Sequence, residues 1–598
     1  MAYVDHSTSV PDYFSRFNPD ILKLIPPDAQ IVLEIGCGAG ALAAAYRRVN
    51  PRVEWYGVEP NHSAASHAFA ADHVDYVCRK PLEECDFDNE SFPDQPFDVL
   101  ILGDVLEHMA NPWEQLKRLA AMAQAGAQIL ACIPNVGHWT IVRDLLKGEW
   151  GYADEGLLDR THLRFFTLAS IKSMFADAGL HVFEVRGRML CNQGFEEWVQ
   201  ESGVNLDAGM RNQLQAYQYV VRALKPRRWQ GESDNDFVVP QIQKTHIHAV
   251  VHRCPENGTC CERPRIDEPL AALATIPGVK TSRHIRGENG RFEPCPDGSV
   301  PNILIQQRFQ WIDLKTQLEF AARGCLLIAD WDDLPEIFPA QVESDFIALR
   351  AVHAVQVSTE KLAEAVRPYN PNVAVFENQL AELPPWENKI PPQDGSIRIF
   401  FGALNRGDDW KPIMPALQRI AREFAGVLDF IVVHDKAFYH EICGYGCASR
   451  FHEFLPYGEY IQRLRSCDIA LLPLEPTPFN SCKSDIKFLE CAANGVAVLA
   501  SETVYSGAIT VEHKFHNTDE HGFLYDSPER FERLFRRLIE SPQDRTVVAR
   551  LAWRYVRDNR MLGQHYRKRH EWYLSLLANR ERLHKELLER VPELKGAE

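Results

Sequence analysis

The sequence predicts an α/β fold of several domains, each built on a doubly wound and largely parallel sheet. Short apolar runs alternate with helical stretches three separate times, beginning near residues 30, 247 and 397. A chain of 598 residues is also too long for a single core, because domains average roughly 150 residues. Three to five domains are therefore expected, and the βαβ rhythm favours parallel strands within them.

The strands can be placed in order along the chain. The first series is AQIVLEIG, VEWYGVE, HVDYVC, FDVLILGD and AQILACIPN, with the helical stretches ALAAAYRRV and SAASHAFAADH between its early members. The second series is IHAVVHR, VPNILIQQRF, GCLLIADWDD, AVHAVQVS and NVAVFEN. The third is IRIFFGAL, LDFIVVHD, CDIALLPLEP and GVAVLAS, followed by a mostly helical tail.

Composition shifts divide these series. A polar segment, RRWQGESDNDF, follows the first series, and a Pro-rich segment, ELPPWENKIPPQDGS, separates the second from the third. The predicted divisions are a first domain over 1–226, a linker over 227–244, a second domain over 245–390, a third over 391–560 and a helical segment over 561–598.

Bulk composition excludes several classes of protein. The net charge is −17, which argues against a general nucleic-acid binder, because phosphate contacts need a basic surface. No apolar run reaches the roughly 20 residues that span a bilayer, and the N-terminus lacks the pattern of a secretory signal. The 15 cysteines are scattered, many in apolar contexts, which is typical of a reducing cytoplasm.

The first candidate site is the glycine turn EIGCGAG. Glu34 closes a strand, and Gly36, Gly38 and Gly40 lead into a helix whose N-terminus suits a ligand. The G-x-G-x-G spacing after an acid favours S-adenosylmethionine over a dinucleotide. Glu59 ends the next strand, where an acid can accept both ribose hydroxyls.

With this turn and the FDVLILGDVLEHM strand, residues 1–225 resemble the class I S-adenosylmethionine-dependent methyltransferases. The stretch over 134–167 is similar to a subgroup found in bacterial surface-glycan clusters. The resemblance implies that the glycine turn lines the methionine end of the pocket and that Glu59 holds the ribose. It also implies that Asp104, Val105 and Leu106 flank the cofactor.

Methyl transfer to a hydroxyl needs a base, and histidine suits neutral pH. His108, His138 and His162 are the candidates, and each could equally be structural or face solvent. We favour His162, because Asp159, Arg160 and Arg164 surround it in a segment that resembles a loop.

The second candidate site is FNSCKSDIKFLE. Asn480, Lys483 and Ser484 lie at or before a predicted helix, and Lys487 and Glu490 continue the face of Lys483. A helix N-terminus with a lysine can neutralise a diphosphate, and a glutamate can bind ribose hydroxyls. An ordinary amphipathic helix with solvated charges is the alternative.

An upstream segment, FFGALNRGDDWK, adds a glycine directly after a strand. Gly402 would let a phosphate approach, and Arg406 or Lys411 could reach it. Together with the second candidate site, residues 245–560 resemble glycosyltransferases of the GT-B fold, close to family 4. The resemblance implies two Rossmann-like domains that face each other across a cleft, with the donor on the C-terminal one and the acceptor on the N-terminal one.

One departure from that family concerns the residue that contacts the donor sugar. Family 4 enzymes often carry two glutamates separated by seven residues; Glu490 matches the second, but Cys482 stands at the first. Asn480 and Asp485 are the candidates to take its place. The donor, a UDP-, GDP- or dTDP-sugar, and the stereochemical outcome stay open.

Two further clusters could suggest metal, and we predict none. Asp330, Asp332 and Asp333 follow a strand, where acids are often caps or solvated. Cys254, Cys260 and Cys261 lack a second pair for zinc. The basic run YRKRH over 566–570 could touch anionic lipid, although such a run is usually a solvated face.

The sequence therefore predicts a cytoplasmic bifunctional enzyme. A methyltransferase would modify a sugar, at oxygen, and a glycosyltransferase would move a sugar from a nucleotide donor to a glycan, glycolipid or protein, such as flagellin or O-antigen. The alternatives are a glycosyltransferase whose first domain only binds cofactor, and a scaffold for glycan enzymes.

Overall fold

The computed structural model describes residues 12–88, 90–226, 242–252, 262–286, 299–308, 313–390, 394–402, 407–509 and 521–592. The chain divides into two compact units. The N-terminal unit comprises 1–243 with 275–278, and the C-terminal unit comprises 244–274 with 279–598. Most of the predicted linker, 227–241, lies outside the described residues.

The N-terminal unit contains a seven-stranded sheet in the order β3-β2-β1-β4-β5-β7-β6. All pairings are parallel except those of β7 with β5 and β6. The strands are β1 Ile31–Ile35, β2 Glu54–Val58, β3 Tyr76–Cys78, β4 Phe97–Gly103, β5 Ala123–Pro134, β6 His181–Arg188 and β7 Gln218–Leu224. Because strand order reverses between β1 and β4, their carboxyl ends open a crevice suited to a ligand.

Helices cover both faces of this sheet. They are α1 Pro19–Leu22, α2 Ala41–Tyr46, α3 His62–Ala70, α4 Pro112–Met122, α5 Trp139–Leu146, α6 Leu168–Asp177, α7 Phe195–Ser202 and α8 Ala208–Gln215. The central strand β1 is buried along its whole length, as expected for a strand covered on both sides. Apolar clusters therefore form on each face of the sheet.

The C-terminal unit contains two six-stranded parallel sheets. The first has the order β13-β12-β11-β10-β8-β9 and the second β16-β15-β14-β17-β18-β19. The strands of the first are β8 Thr245–His252, β9 Val279–Arg286, β10 Ile303–Gln307, β11 Leu326–Trp331, β12 Ala354–Val357 and β13 Val373–Val375. Those of the second are β14 Ile397–Gly402, β15 Leu428–Val433, β16 Ala448–His452, β17 Ile469–Leu472, β18 Ala497–Ser501 and β19 Phe523–Tyr525.

The helices of this unit follow the same alternation. They are α9 Glu268–Leu273, α10 Leu314–Ala322, α11 Pro339–Glu343, α12 Ile347–Arg350, α13 Glu360–Val366, α14 Met414–Glu423, α15 Lys436–Ile442, α16 Tyr457–Arg465, α17 Pro478–Ser481, α18 Ile486–Ala493, α19 Pro528–Glu540, α20 Pro542–Asn559, α21 Tyr566–Ala578 and α22 Arg580–Arg590. Three sheets of mainly parallel strands confirm the predicted α/β fold class.

The C-terminal helices return to the first sheet of this unit. Leu587 and Val591 pack with Ala351, which follows α12. In the basic run predicted for this segment, Arg569 is buried and lies over the ring of Phe376. The run is therefore not uniformly exposed.

Two further features bear on the predictions from composition. Among the described helices, none is both long and apolar enough to cross a bilayer. Cys78 and Cys85 form a disulfide, whereas the nine other cysteines in the described part of the chain carry free thiols.

Candidate active sites

The glycine turn after β1 adopts a backbone that glycine alone accommodates easily. Gly38 has a φ of 53°, in the left-handed region, and a Cβ atom there would lie 2.7 Å from the carbonyl oxygen of Phe14. At Gly36, with a φ of 74°, a Cβ atom would lie 2.5 Å from Cγ1 of Val105. The turn therefore closes tightly on its neighbours and leads directly into α2.

Two buried carboxylates flank this turn. Glu59 accepts hydrogen bonds from the backbone N–H groups of Gly38, at 2.9 Å, and Asn61, at 2.8 Å. Glu34 accepts one from Nε1 of Trp55 at 3.0 Å. Burial raises the pKa of both carboxyls, that of Glu34 to about 8.

A cavity of about 820 Å³ opens at the carboxyl ends of β1, β2 and β4. All the predicted cofactor residues except Gly40 and Leu106 line it, namely Glu34, Gly36, Gly38, Glu59, Asp104 and Val105. Leu106 instead lies in the core. The cavity is also lined by residues that the sequence did not single out, including Phe14, Asn18, Pro81, Glu83 and Arg188.

Asp104 is held at the end of β4 in a left-handed conformation, with a φ of 54°. Its Oδ1 accepts a hydrogen bond from Nε2 of Gln218 at 2.6 Å, and Arg188 donates to Oε1 of the same glutamine at 2.6 Å. Burial raises the pKa of the Asp104 carboxyl. These contacts join β4, β6 and β7 at one side of the cavity.

Two of the three candidate histidines come together. The rings of His108 and His162 lie edge to face with centroids 4.8 Å apart, and His108 lines the cavity. Burial, and then the neighbouring His162, lower the pKa of His108, so that the ring is neutral at pH 7. Thr161, which Asp159 holds through a 2.6 Å hydrogen bond, contacts Nδ1 of His108.

The third candidate, His138, is placed differently. It is completely buried at the N-cap of α5, where Nδ1 accepts a hydrogen bond from the backbone N–H of Thr140. It is not among the residues that line the cavity. Its observed contacts are those of a helix cap.

Glu107 is a residue that sequence reasoning missed. Its side chain is 1% exposed, and neither carboxylate oxygen has a hydrogen-bond partner among the described residues. Burial, and then the charge of Asp104, raise its pKa far above the usual range. The sequence shows an acidic residue in the LEHM run after β4. Its burial could not be predicted, because it depends on the segment over 157–164 folding over it.

The second candidate site is built on α18. Lys487 donates to Oε2 of Glu490 at 3.1 Å and to the hydroxyl of Tyr460 at 2.9 Å. Burial lowers the pKa of Lys487, but the neighbouring Glu490 and Tyr460 outweigh it and raise the pKa overall. This pair is therefore a fixed cation and anion near the carboxyl edge of the second sheet.

Two residues from the part of the C-terminal unit that carries its first sheet lie near this pair. Arg263 lies over the ring of Tyr457, 4.1 Å from its centroid, and forms an ion pair with Glu268 at 2.5 Å. Burial, and then the charge of Glu490, raise the pKa of Tyr457. Sequence reasoning missed Arg263 and Glu268, because they are more than 180 residues distant along the chain.

The other polar residues of this motif contact protein groups. Asn480 donates to Oδ1 of Asp409 at 2.8 Å, and the hydroxyl of Ser484 accepts from Nδ2 of Asn378 at 2.8 Å. The ammonium of Lys483 lies 4.2 Å from the ring centroid of Phe479. Asn480 and Ser484 therefore fix the loop before α18.

The position that departs from the family pattern is buried. Cys482 packs in the apolar cluster of the first sheet, and its carbonyl accepts a hydrogen bond from Thr359 at 3.0 Å. Asp485, one of the suggested substitutes, is engaged by Arg560 through two hydrogen bonds of 2.6 and 2.9 Å. Neither side chain is presented as a free polar group.

The upstream segment is described in part. A Cβ atom at Gly402 would lie 2.6 Å from the ring of Phe400 and 3.0 Å from that of Tyr460, so close packing explains the glycine. Lys411 forms an exposed ion pair with Asp408 at 2.8 Å. Arg406 lies outside the described residues.

The aspartates that were considered as metal ligands form ion pairs with arginines. Asp330 pairs with the buried Arg265 at 2.9 Å. Asp332 and Asp333 pair with Arg308 at 2.7 and 2.9 Å. Cys254, Cys260 and Cys261 lie outside the described residues.

Comparison with known families matches a segment of each unit. Residues 11–185 match a family described as a methyltransferase domain. Residues 415–574 match a family described as glycosyl transferase-like. The predicted resemblances are confirmed: the chain carries a methyltransferase domain and a glycosyltransferase-like domain.

Curated relatives match the N-terminal unit. A ubiquinone biosynthesis O-methyltransferase of Nitrobacter winogradskyi is 28% identical over 183 residues, which cover 29% of this chain and 66% of the relative. One of Bradyrhizobium diazoefficiens is 38% identical over 136 residues, covering 20% of this chain and 50% of the relative. The match thus spans half to two thirds of each relative.

Among solved structures, a plantazolicin methyltransferase in complex with SAH is 13% identical. The likeness covers 36% of this chain and 89% of that one, with a TM-score of 0.25. At that score the likeness supports no conclusion about function.

Proposed function

We propose that this chain, a transferase with a methyltransferase domain and a glycosyltransferase-like domain, is a bifunctional enzyme of bacterial surface-glycan or glycoprotein synthesis. Its N-terminal unit would methylate a sugar at oxygen with S-adenosylmethionine. Its C-terminal unit would transfer a sugar from a nucleotide donor in the cytoplasm. The observation that carries the proposal is the presence of two polar sites, each at the carboxyl edge of a parallel sheet in a different unit.

The 820 Å³ cavity supports the cofactor assignment. Glu59 is anchored by two backbone N–H groups, so its carboxylate is oriented to accept the ribose hydroxyls of S-adenosylmethionine. The glycine turn would allow the methionine part of the cofactor to approach the backbone of α2.

An oxygen acceptor is supported by the paired imidazoles of His108 and His162 beside the cavity. In the transfer, one of the two imidazoles takes the proton of the acceptor hydroxyl, and the oxygen attacks the methyl carbon. The carbon–sulfur bond breaks, and sulfur keeps the electron pair. We infer that these two histidines activate the hydroxyl, while His138 caps the N-terminus of α5.

A sugar acceptor is supported by exposed aromatic rings around His162. Trp150 and Phe165 lie 5.3 Å apart, and Tyr152 lies 6.5 Å from Trp150. The Phe165 and His162 centroids are 6.4 Å apart. Large, partly exposed aromatic faces can cover the apolar face of a sugar ring while its hydroxyls stay hydrated.

In the second site, we propose that Glu490 binds the ribose of the donor and that Lys487 and Arg263 neutralise its diphosphate. Lys487 is fixed by Glu490 and Tyr460, and Arg263 is fixed over Tyr457. In the reaction, the bond between the sugar and the diphosphate breaks and the diphosphate leaves with the electron pair. An acceptor hydroxyl bonds to the sugar, and its proton passes to the departing diphosphate. The nucleotide of the donor carries uracil, guanine or thymine.

The donor reaction is tested by release of nucleoside diphosphate from UDP-, GDP- and dTDP-sugars by the purified chain, with cell-extract acceptors. We expect release from one donor and its loss in Glu490→Ala. Glu589→Ala is the matched control, because Glu589 is an exposed carboxylate paired with the exposed Lys585. No release from any donor would reject the glycosyltransferase assignment.

The methyl reaction is tested with radiolabelled S-adenosylmethionine and a surface-glycan extract. We expect label in the glycan fraction and none with Gly38→Arg. If wild type binds the cofactor but labels no extract, the N-terminal domain is a binding module. If neither pocket binds its ligand, the chain is a scaffold.

A further inference from the structure

We propose that Glu107, His108 and His162 hold a divalent transition-metal ion, of the kind represented by Zn²⁺, beside the cofactor cavity. Each residue offers one ligand atom, and the three atoms lie within 4.8 Å of one another. One nitrogen from each of two imidazoles and one carboxylate oxygen form a donor set that zinc and related ions bind in proteins.

The first independent observation is the state of Glu107. Its side chain is 1% exposed, and both oxygens lack a hydrogen-bond partner among the described residues. Burying a carboxyl group without a hydrogen-bond partner is unfavourable, and burying an ionised one is more so. A bound cation beside this carboxylate would offset that cost.

The second observation is the orientation of the two rings. Nδ1 of His162 lies 3.1 Å from the carbonyl oxygen of Leu157, and Nδ1 of His108 lies 3.3 Å from that of Thr161. Because a carbonyl only accepts, each Nδ1 carries the proton and each Nε2 keeps its lone pair. This is the arrangement in which a backbone carbonyl orients a histidine toward a metal.

The position of the cluster indicates what the ion would do. His108 and Thr161 line the same cavity as Glu34 and Glu59. Three protein ligands leave a coordination position open, as in catalytic zinc sites. With the ion bound, the two imidazoles would act as its ligands rather than as bases. The acceptor hydroxyl would occupy the open position with a lowered pKa, and its proton would pass to solvent as the oxygen attacks the methyl carbon.

This role deepens the proposed methyl transfer, but the site itself can be tested with metal alone. The full chain is stripped with a chelator and titrated with Co²⁺, whose visible absorption reports its ligands, and with Zn²⁺ by calorimetry. We expect one ion that Glu107→Gln and His162→Gln each weaken by about 100-fold or more.

The control is His62→Gln, which changes an exposed histidine at the start of α3. Glu107→Gln preserves side-chain volume, and circular dichroism checks that each variant folds. Cobalt bound through nitrogen and oxygen also lacks the strong thiolate absorption expected if cysteines held it. Absence of binding in wild type, or equal binding in the variants, overturns the proposal.

The two hypotheses fail separately. If the metal binds as expected and no glycan is methylated, the proposed function is wrong and the metal site stands. If methylation proceeds undiminished after chelation and no Co²⁺ binds, the metal site is wrong and the function stands.

Discussion

Glu34 is a carboxyl group whose protonation is tied to folding. It lies at the end of the wholly buried strand β1, accepts one hydrogen bond from Trp55, and has Glu59 nearby. Burial raises its pKa to about 8, against a usual value of 4.5. In the folded chain it therefore carries a proton at pH values where the unfolded chain has lost it.

The sign of the stability change follows from this difference. Since the folded state holds the proton more tightly, the N-terminal unit loses stability as pH rises from about 4.5 through about 8. Glu34→Gln removes this titration. The free energy of unfolding of the variant should therefore be similar to that of wild type near pH 4 and higher than it above pH 8. At about 1.4 kcal/mol per pKa unit, the variant gains on the order of 5 kcal/mol there.

Calorimetric unfolding of the full chain at several pH values checks this prediction. Glu84→Gln is the control, because Glu84 is an exposed carboxylate in the same unit. An equal gain at low and high pH would show that the effect is not due to titration of Glu34.

The backbone conformation at Gly38 is the basis of a second prediction, which concerns cofactor binding. An alanine there would combine a left-handed φ of 53° with a 2.7 Å approach to the Phe14 carbonyl. Strain of this kind costs about 1–3 kcal/mol. We expect Gly38→Ala to weaken S-adenosylmethionine binding by about tenfold or more, measured by calorimetry.

Gly148→Ala is the matched control for that measurement. Gly148 also has a left-handed φ, of 81°, but a Cβ atom there meets no atom within 4 Å, and Gly148 does not line the cavity. Unchanged binding in Gly38→Ala would contradict the close approach of the turn to the cofactor.

At the level of elements, a largely buried ion pair also fixes the loop before α18. Arg560, 8% exposed, binds both oxygens of Asp485 and also donates to the carbonyl of Asn378. The pair thus joins the end of α20, the start of α18 and the segment after β13. This network positions the helix that carries Lys487 and Glu490.

Removing one partner leaves the other charge buried and unpaired. We expect Arg560→Ala to lower the free energy of unfolding of the C-terminal unit by about 3–5 kcal/mol, measured by urea denaturation. Lys411→Ala breaks an exposed pair and should change it by under about 1 kcal/mol. Equal small effects would show that the Arg560 pair is not structurally important.

The same elements show what a sequence can predict. The parallel strands and the glycine turn were predictable, because an apolar run flanked by helical stretches and a G-x-G-x-G spacing are local signals. The antiparallel pairing of β7 with β5 and β6 was not, since the segment over 135–226 has an irregular pattern and its pairing depends on tertiary contacts.

Site residues divide in the same way. Glu34, Gly38 and Glu59 line the cavity because the strand-turn-helix unit alone places them there. The place of Arg263 over Tyr457 and the burial of Glu107 could not be predicted, because each depends on segments that are distant along the chain. Asn480 donates to Asp409, a partner that the local sequence does not signal, and Lys411 pairs with Asp408.

At the scale of the whole molecule, the two sites share no residue. Every residue of the cofactor cavity belongs to the N-terminal unit, whereas Lys487, Glu490 and Arg263 belong to the C-terminal unit. A substitution in one site should therefore leave the chemistry of the other intact. Fusion would serve to deliver both modifications to one glycan.

We accordingly expect Glu59→Gln to abolish methyl transfer and to leave nucleoside diphosphate release unchanged. A glutamine offers only one accepting oxygen, whereas Glu59 already satisfies the N–H groups of Gly38 and Asn61 with two. Glu490→Ala should do the reverse when a finished acceptor glycan is supplied. Both activities are measured on the same preparations with labelled cofactor and donor.

Mixing the two variants then tests whether the sites act on a common glycan. If the newly added sugar is the methyl acceptor, Glu490→Ala alone gives no methylated product from an unextended acceptor, and neither does Glu59→Gln. The mixture should restore that product, because one variant extends the glycan and the other methylates it. Methylation of the unextended acceptor by Glu490→Ala alone would show that the two reactions are unconnected.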